Sequence, residues 1–535
     1  MLRLLTISVA AICIGLGLFG CDSDISGDRF ENLPPNTELS IRDASLVENL
    51  GDRRLTSTVS VSWSGTDRDG FVAYFEIRFF PVASESSIGP EDGWSRTTRL
   101  DTLVLLPIDE GSSTANVIFE VRAVDNDGLK DPNPARTIFP IVNSPPTIRF
   151  SAFELPPERT FPIFAFSWVT DDPEGPENID RIEVSFNDST SFVALPAETE
   201  FATFVGNLDG PDRSGNVVSA RVHVGRNFQT TDIFVPGLRL DEDNVVYFRA
   251  VDRTDTASTR IEHPLFVWEP KGTILLVNDY RKSVAPTVQR YHLDLLTAYL
   301  PAGTPVDVWD VSEPYFSGNT GVLSRADDMP VIADPVLRVF LARYEHIYWV
   351  ATATTSAPRA NNFPFAASVM DEFFRDGGTI MVHSPITIPV NEEEIESNAG
   401  IVVLPLTGFI SFPDSLRPSL RLQSSSRIES TGVIDLPTLS PTRLIIGTLP
   451  YIAQGGDIPL YTAQYTSQPF AGGTAVWTGS SVIASISEDN RIALFAIPIP
   501  DEQSGQPLLV GEDGSGETTQ EAIFAILRQL GFPQQ

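Results

Sequence analysis

The chain has 535 residues, with 70 Asp and Glu against 37 Lys and Arg, for a net charge of −33. Lysine occurs only at 130, 271 and 282 and no basic run is present, so a nucleic-acid partner, which needs a basic face, is disfavoured. Apolar residues make up 42% of the chain. That composition and length indicate a folded protein of three or four domains rather than a disordered stalk. The acidity fits a high-salt habitat, whose ions screen self-repulsion, or arginine-favouring codon usage. Its functional counterpart is a set of acidic loops that bind Ca²⁺.

The N-terminal segment starts with Arg3, runs apolar from Leu4 to Phe19, and places Gly20 before Cys21. This is the layout of a secretory signal peptide with a processing site. The apolar run is shorter than the ~20 residues a spanning helix needs. Leu18-Phe19-Gly20-Cys21 resembles the lipobox of bacterial lipoproteins. The resemblance implies a lipid on Cys21 and a membrane as partner. It places the protein in the bacterial cell envelope, at an outer membrane on its periplasmic or surface face rather than at the inner membrane. Cys13 leaves with residues 1–20, so the mature chain keeps no thiol for a disulfide or a nucleophile. Residues 21–33 read as a polar tether.

Two repeated units follow, at 34–143 and 144–270. Asn32-Leu33-Pro34-Pro35 opens the first and Asn143-Ser144-Pro145-Pro146 the second. Each has an alternating strand ending in Ser-Trp, at Thr58–Trp63 and Ile163–Trp168. An acidic glycine turn comes next, at Asp67–Gly70 and Asp171–Gly175. A further strand spans Val72–Phe79 or Ile179–Phe186. An Arg-Ala-Val-Asp strand end closes the pattern at Asp125 and Asp252. Short strands with regular turns predict antiparallel β-sandwiches. The units resemble fibronectin type III and related immunoglobulin-like modules. Ala197–Ser219 lengthens the second unit as a loop or extra hairpin.

From Lys271 the pattern changes to strand–helix alternation, which predicts a parallel α/β sheet. Strands are expected at Thr273–Asp279, Pro305–Val311, His346–Thr352, Thr379–His383 and Arg491–Ile497. Helices are expected at Thr287–Tyr299, Asp334–Tyr344, Phe365–Arg375 (closed by Gly377-Gly378) and Thr519–Leu530. A β-rich insertion occupies about 400–487. Ile274–Tyr280, the run Asp371–His383 and Arg491–Pro498 with the closing helix resemble the class I glutamine amidotransferase-like fold, including its ThuA-like branch. The expected fold class is therefore two all-β sandwiches followed by a flavodoxin-like, amidotransferase-like α/β domain over 271–535. Active amidotransferases need a cysteine nucleophile in a glycine-flanked elbow, and this chain has none.

Ligands of open parallel sheets sit beyond the carboxyl ends of the strands. That rule gathers Asn278, Asp279, Tyr280, Asp310 and Thr352 as pocket candidates, with His383 and Ser384 as weak catalytic ones. His383-Ser384-Pro385 lacks the flanking glycines of a nucleophile elbow. The remaining histidines, 223, 263, 292 and 346, show no metal-binding spacing. In the first sandwich Asp67, Asp69, Asp125, Asp127 and Asp131 are expected at one pole. They suit either structural Ca²⁺ or plain turn chemistry, with Gly70 and Gly128 supplying positive φ. No other cofactor is indicated. The reading that results is a lipid-anchored binding or scaffolding protein with glycans or envelope proteins as partners. The alternative is an exported hydrolase acting on carbohydrate or amide bonds.

Overall fold

The computed structural model describes residues 31–41, 55–108, 112–280, 284–311, 328–351, 362–386, 407–408, 420–467 and 475–535. Cys21 and Thr352 lie outside the described residues. The chain divides into two compact units, Met1–Ser144 and Pro145–Gln535.

The first unit is a β-sandwich. One sheet joins β1 (Asn36–Ile41), β3 (Thr58–Thr66) and β6 (Asp101–Leu105). The other runs β2 (Leu55–Thr56), β8 (Ala135–Val142), β7 (Thr114–Asp125), β4 (Val72–Pro81) and β5 (Ser95–Thr97). Alternation sorts the side chains of β3. Val59, Val61 and Trp63 are buried, while Ser60 and Ser64 are exposed. The inward residues pack with Phe75, Phe119 and Phe139 from the facing sheet.

The second unit begins with a sandwich of the same plan. Its strands are β9 (Thr147–Phe150), β10 (Arg159–Thr160), β11 (Ile163–Asp171), β12 (Ile179–Phe186), β13 (Val193–Pro196), β14 (Phe201–Gly206), β15 (Val217–Val224), β16 (Gln229–Arg239), β17 (Glu242–Asp252) and β18 (Ile261–Val267). The sheet β10-β18-β17-β12-β13 matches β2-β8-β7-β4-β5, down to the parallel pairing of its first two strands. The sheet β9-β11-β14 matches β1-β3-β6 and is extended by β15 and β16. The segment Ala197–Ser219, expected as a loop or extra hairpin, instead holds β14 and the start of β15, and the widening strands run on to Arg239.

The duplication reaches side-chain level. In each sandwich an arginine on the penultimate strand pairs a glutamate on the strand beside it, Arg122 with Glu76 and Arg249 with Glu183. Each also stacks on an aromatic ring, Trp94 at 4.1 Å or Phe192 at 4.2 Å. Each strand then ends in the same turn. Asp125 Oδ1 accepts the N–H groups of Asp127 and Leu129 at 2.8 and 2.9 Å; Asp252 Oδ1 accepts those of Thr254 and Thr256 at the same distances.

Beyond the second sandwich lies a mixed eight-stranded sheet. Its parallel part orders β20 (Val306–Asp310), β19 (Ile274–Asp279), β21 (His346–Ala351), β22 (Thr379–His383) and Ile492–Phe495. Three antiparallel strands complete it, Val482–Ile486, Ile458–Ala463 and Ile428–Ser430. Two expectations are corrected here. The sheet is mixed, not wholly parallel, and part of the segment expected as an insertion at 400–487 belongs to the main sheet. The helices Ala285–Tyr299 and Glu517–Gln529 cover one face. Helical segments at Ala333–Leu337, Arg338–Ala342, Phe363–Ala367 and Asp371–Arg375 cover the other. Gly377, at φ +96°, ends the last of these, with the Gly378 N–H bonded to the Phe373 carbonyl.

The joint expected at 270 is not a packing boundary. Phe161, Ile163, Ala165 and Phe201 of the sandwich share one core with Leu275, Val277, Trp309, Phe340 and Trp349 of the sheet layer. Phe161 stacks on Phe340 at 4.9 Å. Arg159 reaches the buried Asp328 with two nitrogens, at 2.8 and 3.0 Å. The linker is itself fastened. Lys271 and Gly272 donate their N–H groups to the Asp307 carboxylate, and a side chain at Gly272 would collide with the Pro305 carbonyl. Phe161→Ala should therefore cost about 3–5 kcal/mol. Denaturation followed by hydrogen exchange should show strands of the sandwich and of the sheet losing protection together. Loss confined to β11 and its neighbours would contradict the shared core.

Candidate functional site

The strand order places β19 between β20 and β21, with crossovers leaving on opposite faces. In open α/β sheets this switch point, at the carboxyl ends, is where ligands bind. The sequence candidates do end there, but strand alternation divides them. Asn278, Asp310 and His383 lie in one cross-strand row with Val350, on the face of helix Ala285–Tyr299. Asp279 follows Asn278 by one position and takes the opposite face, paired with Ala351 and bonded to Trp349, while Ser384 follows the end of β22. Tyr280 is buried in the core under the first face. The cluster expected as one pocket is thus two separate groups with the sheet between them.

On the second face Asp279 is wholly buried. Its carboxylate accepts the Asn362 N–H at 2.6 Å, the Asn362 side-chain amide at 2.9 Å and the Trp349 indole N–H at 3.2 Å. Burial outweighs these donors and pushes the carboxyl up to about 8. Ser384 lies two strands away, about 10 Å at ordinary strand spacing. Asp279 is in no position to act on it as a base.

On the first face Asn278 donates to the Ala285 carbonyl and to Gln289, each at 3.2 Å, and its own Oδ1 is buried without a partner. His292 Nδ1 meets the Tyr348 hydroxyl at 3.0 Å. The His383 ring packs 4.8 Å from Tyr348 and 5.1 Å from His292. Both His383 nitrogens are buried with no hydrogen-bond partner. Burial lowers the His292 imidazole to about 3, and burial with the neighbouring His292 drives His383 well below its usual value. Both rings are neutral at pH 7. Since neither His383 nitrogen reaches a partner, His383 and Ser384 form no nucleophile–base pair.

Tyr348, Trp349, Asn362, Gln289 and Tyr291 contribute to these groups and were not singled out in the sequence. A usable signal existed for the helix. Ala285, Val288, Gln289 and His292 fall at helical spacing, on the side that meets the sheet.

In the first sandwich the acidic loops do meet. The Phe71 N–H bonds to Asn126 Oδ1 at 2.9 Å, and the Asn126 N–H returns to the Phe71 carbonyl. Asp69, Asp125 and Asp131 are engaged by nearby donors, whereas Asp67 Oδ2 is buried without a partner. Asp69 accepts the Leu33 N–H, Asp67 the Asp69 N–H, and Asp131 those of Thr37 and Asn133. Asp127 gives its N–H to Asp125 in the turn described above. Among the described residues no group of three or more His, Cys, Asp or Glu side chains is arranged to hold a metal ion. Gly128 has the expected positive φ, at +91°. Gly70 does not; a Cβ there would lie 2.3 Å from Asn126 Oδ1 and 2.7 Å from Asp67 Oδ2, so any larger residue displaces those two side chains.

No protein-family model and no curated protein matches the chain. Solved structures do align with it. Fibronectin(III)-like modules of Clostridium thermocellum CbhA align over 43% of this chain and 94% of theirs, at 12% identity and a TM-score of 0.16. The chicken interferon gamma receptor alpha chain aligns over 44% and 99%, at 11% identity and 0.22. The central fibronectin-III array of RIM-binding protein aligns over 45% and 72%, at 12% identity and 0.13. The sandwich assignment rests on the strand pairing itself.

Two pH effects follow. His292 and His383 have folded values below the unfolded value near 6.5. Their contribution is present above that value and is lost as pH falls, because the unfolded chain takes up protons first. Melting temperatures should fall from pH 7 toward pH 4, and His383→Phe should flatten part of that fall. Asp279 has the opposite sign. Its folded value is raised, so its contribution is full below about 4 and lost as pH rises through about 8. Asp279→Asn should remove the loss of stability between about pH 6.5 and 8 and steepen the acid fall, where the two effects oppose each other. An unchanged alkaline slope would show that Asp279 does not titrate as described.

Proposed function

We propose that this chain is a lipid-anchored protein of the bacterial cell envelope, held to a membrane through Cys21, with a binding or scaffolding role toward glycans or other envelope proteins. Its sandwiches carry an α/β domain of the class I amidotransferase-like kind that is catalytically degenerate. The strand order β20-β19-β21-β22, followed by Ile492–Phe495, supports the doubly wound part of this reading. The observation that carries the degeneracy is that neither His383 nitrogen reaches a partner and that Asp279 lies on the other face of the sheet, in a chain with no cysteine after Cys21. An acyl-transfer centre needs nucleophile, base and oxyanion donors within about 3 Å of one reacting atom.

Two measurements test it. Cys21→Ala should move the protein from the membrane to the soluble fraction; retention at the membrane would remove the anchor from the reading. The soluble full-length chain should turn over glutamine, ester, amide and glycoside substrates no faster than buffer. Turnover lost in Ser384→Ala, with the fold intact, would establish the hydrolase instead.

A further inference from the structure

We infer that the cleft between the first turns of helix Ala285–Tyr299 and the turn at 501–505 binds an uncharged, hydroxyl-rich ligand, a saccharide unit. The inference rests on the binding role proposed above and gives that role a location and a ligand class.

The cleft has a volume of about 310 Å³. That is the lower end of the range for small-molecule sites. Thr287, Arg290, Tyr291 and Asp294 form one wall, and Gln503 and Ser504 the other. The second wall is pre-organised. Asp501 Oδ1 accepts the N–H groups of Gln503 and Ser504 and the Ser504 hydroxyl, at 3.1, 2.8 and 2.9 Å. The Asp501 carbonyl accepts the Gly505 N–H at 2.8 Å, and Arg443 pairs with the Asp501 carboxylate. Gly505 lets the walls approach. Its φ is +71°, and a Cβ on it would already lie 3.1 Å from Thr287 Cγ2. A wall fixed before binding loses little entropy when a ligand arrives.

The chemistry of the lining selects the ligand. Arg290 and Asp294 stand one helical turn apart and are both exposed, yet neither makes an ion pair among the described residues. Tyr291 between them has a buried hydroxyl with no hydrogen-bond partner. The cleft therefore offers the Arg290 donor fork, the Asp294 carboxylate, the Gln503 amide, the hydroxyls of Thr287 and Ser504, and the ring of Tyr291. Its charges cancel. Neighbouring hydroxyls of a sugar ring each need one donor and one acceptor, and this lining supplies both in alternation. An anionic ligand would meet Asp294 and the field of a chain with net charge −33, and a cationic ligand would meet Arg290.

The test uses the full-length chain made soluble by Cys21→Ala. Calorimetry and saturation-transfer NMR are run with neutral gluco- and chito-oligosaccharides, and with glucuronate and glucosamine as charged comparators. Binding of a neutral oligosaccharide is expected, weakened at least tenfold by Arg290→Ala and by Asp294→Ala, with melting temperatures unchanged. Tyr291→Phe should weaken it less. No binding by any neutral oligosaccharide, an affinity in either alanine variant equal to the parent's, or preference for a charged comparator would overturn the inference. Sedimentation with isolated cell envelopes separates this failure from that of the wider reading. If parent and Arg290→Ala/Asp294→Ala sediment equally, the cleft is overturned and the binding role stands. If neither sediments, the binding role falls with it.

Discussion

Strand β11 is buried on both faces, and much of the second unit depends on that. Phe164, Phe166 and Trp168 point into the core of their own sandwich, while Ile163 and Ala165 point into the core beneath the α/β sheet. A sandwich strand normally gives one face to water. Here the outer face is apolar because another layer covers it, and Phe161 extends the contact to Phe340. Each large apolar side chain removed from water contributes on the order of 1.5–3 kcal/mol. A contact of this kind therefore ties the fate of the sheet layer to that of the sandwich. The clamp of Asp307 on Lys271 and Gly272 holds the covalent connection in the same geometry.

Much of this architecture was legible in the residues. The Ser-Trp strands, acidic turns and Arg-Ala-Val-Asp ends marked two related sandwiches, and the continuous apolar run at Ile274–Val277 marked a strand covered on both sides. What misled was the weight given to proline-rich joints. Pro145-Pro146 does lie where the two compact units divide, whereas Pro270 lies inside one of them. The distinguishing information was in the strands. Thr58-Val59-Ser60-Val61-Ser62-Trp63 alternates apolar with serine, as a strand with one wet face must. Ile163-Phe164-Ala165-Phe166 does not alternate, and that lapse was the sign of a second buried face. The antiparallel strands that complete the sheet could not be read as such, because pairing between Ile458–Ala463 and Val482–Ile486 is non-local and follows from contacts rather than from a local period.

The candidate site failed in sequence for a narrower reason. Proximity to a strand end gathers residues, but parity decides which face each one takes. Asn278 and Asp279 are neighbours in the chain and opposites in space. Applying the period of two to the strand ends would have separated them beforehand. The partners of these residues, Tyr348, Trp349 and Asn362, come from elsewhere in the chain and had no local signature. The same holds for the cleft facing Arg290, whose second wall arrives some two hundred residues later in the sequence.

The fused core also has a mechanical meaning. A module joined by a bare peptide linker can pivot, and a load arriving through it is spent on rotating the joint. Around residue 270 there is no such slack, since the backbone is bonded to Asp307 and the flanking surfaces interlock through Phe161 and the Arg159–Asp328 pair. A pull or a torque entering at Pro145 is therefore delivered to one face of the mixed sheet as to a single stiff lever.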